Sequence, residues 1–187
     1  NIRKTGLTAV NLRDGDELIA AFLTDGSKNI FAATRNGMGI MFDENDVRPM
    51  GRTATGVRAI SLSEGDYVVS ADFTDKDDKL LNVTENGYGK RTDAEAFNVQ
   101  HRGGKGVKIH QITDKTGLLS GVIKVSDNEE LMIVTSEGVI IRLRGKEIST
   151  FGRVSQGVKL INLNSGVTVA GIAKINEEDI MEEEGQE

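Results

Sequence analysis

Basic side chains at fixed distances from a glycine are the residues in this sequence best suited to chemistry, and the chemistry they suit is contact with phosphate. Aligned on Gly56, Gly106 and Gly157, the residue four positions earlier is always arginine (Arg52, Arg102, Arg153). The residue two positions later is always basic (Arg58, Lys108, Lys159). An arginine fork can hold two phosphate oxygens at once and stays charged, while lysine supplies a point charge. Further cations, Arg48, Lys90, Arg91, Arg142, Arg144 and Lys146, fall on or just beyond an expected strand. A cation repeated once per structural unit projects from the same place on each, so stacked units draw a positive stripe along one curved edge. In the stretch Gln100 to Gly106, the glycines Gly103, Gly104 and Gly106 allow tight turns and could present N–H groups to a phosphate, with Arg102 and Lys105 adding charge.

Other chemistries find little support. There is no cysteine, which removes disulfides, thiolate metal sites and thiol nucleophiles, and His101 and His110 are too few for a histidine metal centre. Tyr88 lies in a glycine turn, and no carboxylate cluster in the body suggests a magnesium site. The expectation is no catalytic residue, no metal and no cofactor. The aromatic residues are few, six Phe with Tyr67 and Tyr88, and most of the Phe positions lie in strand runs, so stacking on single-stranded bases is not expected. Duplex binding through phosphates, with little direct base reading, is the natural expectation.

The formal net charge of −6 opposes that reading until its distribution is examined. Residues 177–187 hold seven acidic side chains and no basic one, whereas residues 1–176 are balanced at 23 basic against 22 acidic. Locally the balance turns positive, to +3 over residues 86–110 and again over residues 135–160. The expected organisation is a folded body over 1–176 and a disordered acidic tail over 177–187. No basic-then-apolar leader or long apolar run occurs, which suggests a cytoplasmic location and no membrane span.

The elements that must position these cations come from an internal repeat of about fifty residues. Gly6-Leu7, Gly56-Val57, Gly106-Val107 and Gly157-Val158 recur at intervals of 50, 50 and 51. Thr34 to Gly37, Thr84 to Gly87 and Thr135 to Gly138 recur at 50 and 51. With 22 glycines, a single proline at Pro49, and short runs rich in Val, Ile and Leu, each unit reads as four short strands joined by tight turns. In the second unit these are 57–62, 67–73, 79–84 and 89–92. The fold class expected is all-β, a propeller-like array of about four blades of four short antiparallel strands.

Gln100-His101-Arg102-Gly103-Gly104-Lys105-Gly106 resembles the signature box of the DNA gyrase A C-terminal domains, departing at His101. Asn86 to Thr92, Arg48 to Arg52 and Thr55 to Arg58 resemble the repeats of the same family. The resemblance implies a six-bladed β-pinwheel whose outer rim binds and bends double-stranded DNA. It implies as partners the remainder of the gyrase A subunit together with the gyrase B subunit, which jointly introduce negative supercoils using ATP. The family's box lies in the first blade, whereas here the stretch opens the third unit, which marks it as a box-like copy. Two alternatives stay open: the related C-terminal domain of topoisomerase IV, and a protein-binding propeller scaffold.

Overall fold

The computed structural model describes residues 6–175, and the acidic stretch expected as a disordered tail lies outside them. Among the described residues the strands are β1 (Asn29–Thr34), β2 (Met38–Asp43), β3 (Val68–Thr74), β4 (Lys79–Thr84), β5 (Tyr88–Asp93), β6 (Val107–Lys108), β7 (Leu119–Lys124), β8 (Glu130–Thr135), β9 (Ile140–Arg144), β10 (Val158–Lys159) and β11 (Val169–Ile175). The only helical elements among them are short 3-10 turns that follow β2, β5 and β9. The all-β, propeller-like architecture expected from the repeat is the one observed.

Each Thr-x-x-Gly marker closes a β-hairpin. In β1–β2 the Gly37 amide donates to the Thr34 carbonyl at 3.0 Å, and Gly87 to Thr84 and Gly138 to Thr135 repeat the bond at 3.0 and 2.9 Å. Gly37, Gly87 and Gly138 have φ of 75°, 79° and 79°, a left-handed conformation that a side chain disfavours.

The four strands of one sequence unit do not make one sheet, which corrects the simplest reading of the repeat. The first sheet has the order β3-β1-β2-β6, the second β7-β4-β5-β10, and the third β11-β8-β9. Each hairpin therefore takes its third strand from the next unit, and the first two hairpins take a fourth from the unit after that. The pairing register repeats as well: Gly39 opposes Val107 and Met38 opposes Lys108, as Gly89 opposes Val158 and Tyr88 opposes Lys159. Residues 57–62, expected as a strand, form none here, because no described hairpin lies two units upstream to receive them. Three sheets thus stand among the described residues where the repeat count suggested about four.

The sheets stack, and the shared cores explain the continuous apolar runs. Phe31, Ala33 and Met41 of the first sheet pack with Leu80 and Val122 of the second, sealed by Phe97 and Ile109. Leu81 and Val83, on the opposite face of β4, pack with Leu131, Ile133, Val125 and Val169. Because both faces of β1 and β4 are covered, neighbouring residues such as Leu80 and Leu81 are both fully buried, and no polar alternation survives. Each such side chain removed from water contributes about 1.5–3 kcal/mol.

The incoming strands approach closely enough to forbid side chains at the contact. A Cβ on Gly157 (φ 70°) would strike the carbonyl of Gly89, and one on Gly106 (φ 69°) the carbonyl of Gly39. Gly51 has ordinary φ and open space around it. Gly157→Ala is therefore expected to lower unfolding stability by about 2–4 kcal/mol, from left-handed strain plus displacement of β5. Gly51→Ala should stay within about 0.5 kcal/mol of the parent, which chemical denaturation of both variants would check.

Candidate nucleic-acid interface

The connection that carries the box-like stretch is laced onto the two preceding units along its length. The Gln100 amide donates to the Met41 carbonyl at 2.8 Å, Gly103 to Ala59 at 2.5 Å, and Ser61 in return to Gly104 at 2.8 Å. The next connection repeats the arrangement, with Phe151 bonded to Arg91 at 2.9 Å and Gln111 to Ser155 at 3.3 Å. The Gly103 N–H is thus engaged by Ala59 and is not offered to a phosphate, which corrects that expectation for this glycine.

The candidate cations fall into four groups. Arg52, Arg58, Lys105, Lys108 and Lys159 are exposed, and among the described residues none lies within 4.0 Å of a carboxylate. Lys159 also sits 5.9 Å from the centre of the Tyr88 ring. Lys108 and Lys159 occupy matching places on β6 and β10, and so project equivalently from successive sheets. Arg102 and Arg153 are half-buried and turned toward the backbone. Arg102 donates from Nε to the Asp46 carbonyl and from Nη1 to the Arg58 carbonyl, each at 3.1 Å. Arg153 donates from Nη1 to the Lys108 carbonyl at 2.5 Å. Arg142, on exposed β9, is paired with Glu130, which also holds Arg144 at 3.0 Å.

Lys90 and Arg91 lie inside the protein, which corrects the expectation that they face phosphate. Lys90 is fully buried and its Nζ donates to the carbonyls of Gly152 and Arg153 at 2.7 and 2.6 Å. Burial, and secondarily the Arg153 charge, push it down to about 8 from the usual 10.5. Arg91 is 6% exposed, donates from Nε to the Ile148 carbonyl at 2.7 Å, and pairs through Nη1 with Asp127. The repeat held a signal for this: one unit away, Lys90 aligns with Ile40 and Ile141, positions that any reading would place in a core. Asp127, the partner that neutralises Arg91, sits in a turn outside the repeat markers, where the repeat carries no signal for it.

Lys90 is not the only polar side chain buried in the body. Asn82 opposes it across β4 and β5, and both polar atoms of the Asn82 side chain, both ring nitrogens of His110, and Oγ of Ser155 are buried with no hydrogen-bond partner among the described residues. Burial first, and the Lys90 charge second, push His110 down to about 4 from 6.5. No group of three or more His, Asp or Glu side chains among the described residues is placed to hold a metal ion, and none of their helices is long and apolar enough to cross a membrane.

A family model described as "DNA gyrase C-terminal domain, beta-propeller" matches this chain over residues 1–25, 28–75, 78–126 and 129–176. Its last three stretches each contain one hairpin together with the strand that the next unit lends to that hairpin. The A subunit of DNA gyrase from Halalkalibacterium halodurans is 59% identical over 179 residues, covering 96% of this chain and 22% of that protein. Its counterpart from Clostridium acetobutylicum is 50% identical over 179 residues with the same coverage of 96% and 22%. The chain thus spans about a fifth of the length of these curated relatives. Among solved structures, a DNA gyrase A C-terminal domain superposes with a TM-score of 0.84 at 26% identity, over 92% of this chain and 59% of that one. The C-terminal domain of a DNA topoisomerase IV superposes with a TM-score of 0.87 at 29% identity, over 97% of this chain and 57% of that one.

The buried imidazole sets a dependence of stability on pH. His110 binds a proton below about 4 when folded and below 6.5 when unfolded, so between these values the unfolded chain holds the extra proton and stability falls as pH falls. Between pH ~6.5 and ~4.5 the loss should reach about 2 kcal/mol. Denaturation of His110→Asn over that interval should show most of this slope removed.

Proposed function

The chain belongs to the DNA gyrase C-terminal domain family, and from that premise we propose that it binds double-stranded DNA along its outer edge and bends it, without reading base sequence. The observation that carries the reading is the recurrence in sequence of Arg58, Lys108 and Lys159, all exposed and unpaired with any described carboxylate, with Lys108 and Lys159 at matching places on β6 and β10. Arg52 and Lys105 add charge beside them, and Arg142 joins only by giving up Glu130. Bending ~20–30 base pairs by ~40–90° costs on the order of 1–6 kcal/mol, so a bending surface needs contacts spread along an arc. One basic loop does not provide that arc; cations on successive stacked units do.

In the whole protein, this surface would wrap a DNA segment for a type IIA topoisomerase. With the rest of the gyrase A subunit, joined by the gyrase B subunit, that enzyme would introduce negative supercoils at the expense of ATP, in the cytoplasm. The fragment itself acts by binding and holds neither cofactor nor catalytic group. The box-like stretch favours gyrase over topoisomerase IV, since Gln100 to Gly106 departs from the box at His101 alone.

Duplex binding measured by fluorescence anisotropy across a salt series tests the proposal. Affinity should fall steeply with salt, and Arg58→Ala, Lys108→Ala and Lys159→Ala should each reduce the log–log slope by about 0.9, the value of one lost phosphate contact. Binding that is negligible at low salt, or indifferent to these three changes, would favour a protein-binding scaffold instead.

A further inference from the structure

We propose that Arg102 and Arg153 are positioning residues: each holds the backbone of the preceding unit's phosphate-contacting cation and does not itself touch DNA. The inference rests on the duplex-binding reading above. Its basis is a bond that recurs in register. Arg102 Nη1 donates to the carbonyl of Arg58, and Arg153 Nη1 donates to the carbonyl of Lys108. In both cases the arginine precedes its own connection's glycine by four residues, and the carbonyl belongs to the cation two residues past the previous unit's glycine.

The division of labour follows from exposure and donor geometry. Arg102 and Arg153 are half-buried, whereas Arg58 and Lys108 are exposed. Arg102 divides its fork between two carbonyls, Arg58 and Asp46, which lie on different stretches of the chain. A charge-assisted bond of this kind fixes the main chain from which the exposed cation projects, so its ordering is completed on folding and not deferred to DNA binding. It also ties the place of one rim cation to the unit that carries the next, which sets the spacing between successive phosphate contacts. Arg52 is the informative contrast: the residue whose carbonyl it would hold, two past Gly6, is Thr8 and not a cation, and among the described residues Arg52 makes no such bond and stays exposed.

The test is a salt series of duplex binding by the full 187-residue chain, for the parent, Arg58→Ala, Arg102→Gln, Arg102→Lys and the double variant Arg58→Ala/Arg102→Gln. Thermal melting of each variant shows that it is folded. Arg58→Ala should lower the salt slope by about 0.9. Arg102→Gln should keep the parent slope and weaken binding about three- to tenfold at every salt concentration. Arg102→Lys should fail to restore affinity, because an ammonium concentrates its donors at one atom and does not take the places of both Nε and Nη1, which reach carbonyls on separate stretches of the chain. The double variant should bind no more weakly than Arg58→Ala.

A slope loss of about 0.9 in Arg102→Gln, parent affinity in that variant, or full rescue by lysine overturns the positioning role and leaves the duplex-binding reading standing. Absence of salt-dependent binding by the parent chain overturns the duplex-binding reading, and this inference with it. If Arg102→Gln unfolds at the assay temperature, Arg153→Gln compared with Lys108→Ala makes the same test one unit along.

Discussion

Strand lending between units is the constraint on which the rest of this structure depends. A hairpin such as β4–β5 is flanked on one side by β7 of the next unit and on the other by β10 of the unit after it. Its two edges are thereby satisfied by chain that follows it in sequence, and among the described residues no unit completes a sheet from its own strands. Unpaired backbone groups in a buried edge are costly, so the units must fold together. The cores obey the same logic, since Leu80 and Leu81 of a single strand serve two different stacked interfaces. Propagation along neighbours in this way is the behaviour expected of repeat architectures.

The lending geometry also accounts for where charge can and cannot appear. The two-residue strands β6 and β10 each carry their lysine on the exposed side, next to a glycine that must pass close to the receiving backbone. Exposed cations therefore recur at the pace of the sheets. One strand deeper, Lys90 and Arg91 lie beneath the returning connection and are covered by it, tied to the carbonyls of Gly152, Arg153 and Ile148. Their charge holds connections together. Buried charges of this kind are tolerated only when well bonded, and Lys90 and Arg91 are, whereas Asn82, His110 and Ser155 hold polar atoms with no hydrogen-bond partner among the described residues.

The third sheet departs from the first two at one position with physical consequences. Gly39 and Gly89, where a Cβ would meet the side chains of Ile109 and Leu160, give way in β9 to Ile140, which is 58% exposed. The outer edge of β9 thus presents bulk where its counterparts present a gap. Arg142 and Arg144 follow on the same strand, both held by Glu130. A bulky, charged edge discourages indiscriminate pairing with other strands.

The sequence by itself determined the all-β character, the fifty-residue period, the hairpin turns at Thr34, Thr84 and Thr135, and the once-per-unit cations. These are local facts: turn glycines, β-branched runs and spacing reflect the conformation of a few neighbouring residues, and repetition exposes them without any partner in view. Only the tertiary structure decided which strands share a sheet, because the choice between β3 joining its own unit or the preceding hairpin leaves the same local pattern. That choice also decided the fate of individual charges. Arg58 and Arg91 read alike as basic residues near a turn, yet one is exposed and the other is closed over by Ile148 and Asp127 from the following unit. Burial is a property of what packs on top, and for this chain what packs on top comes from another unit.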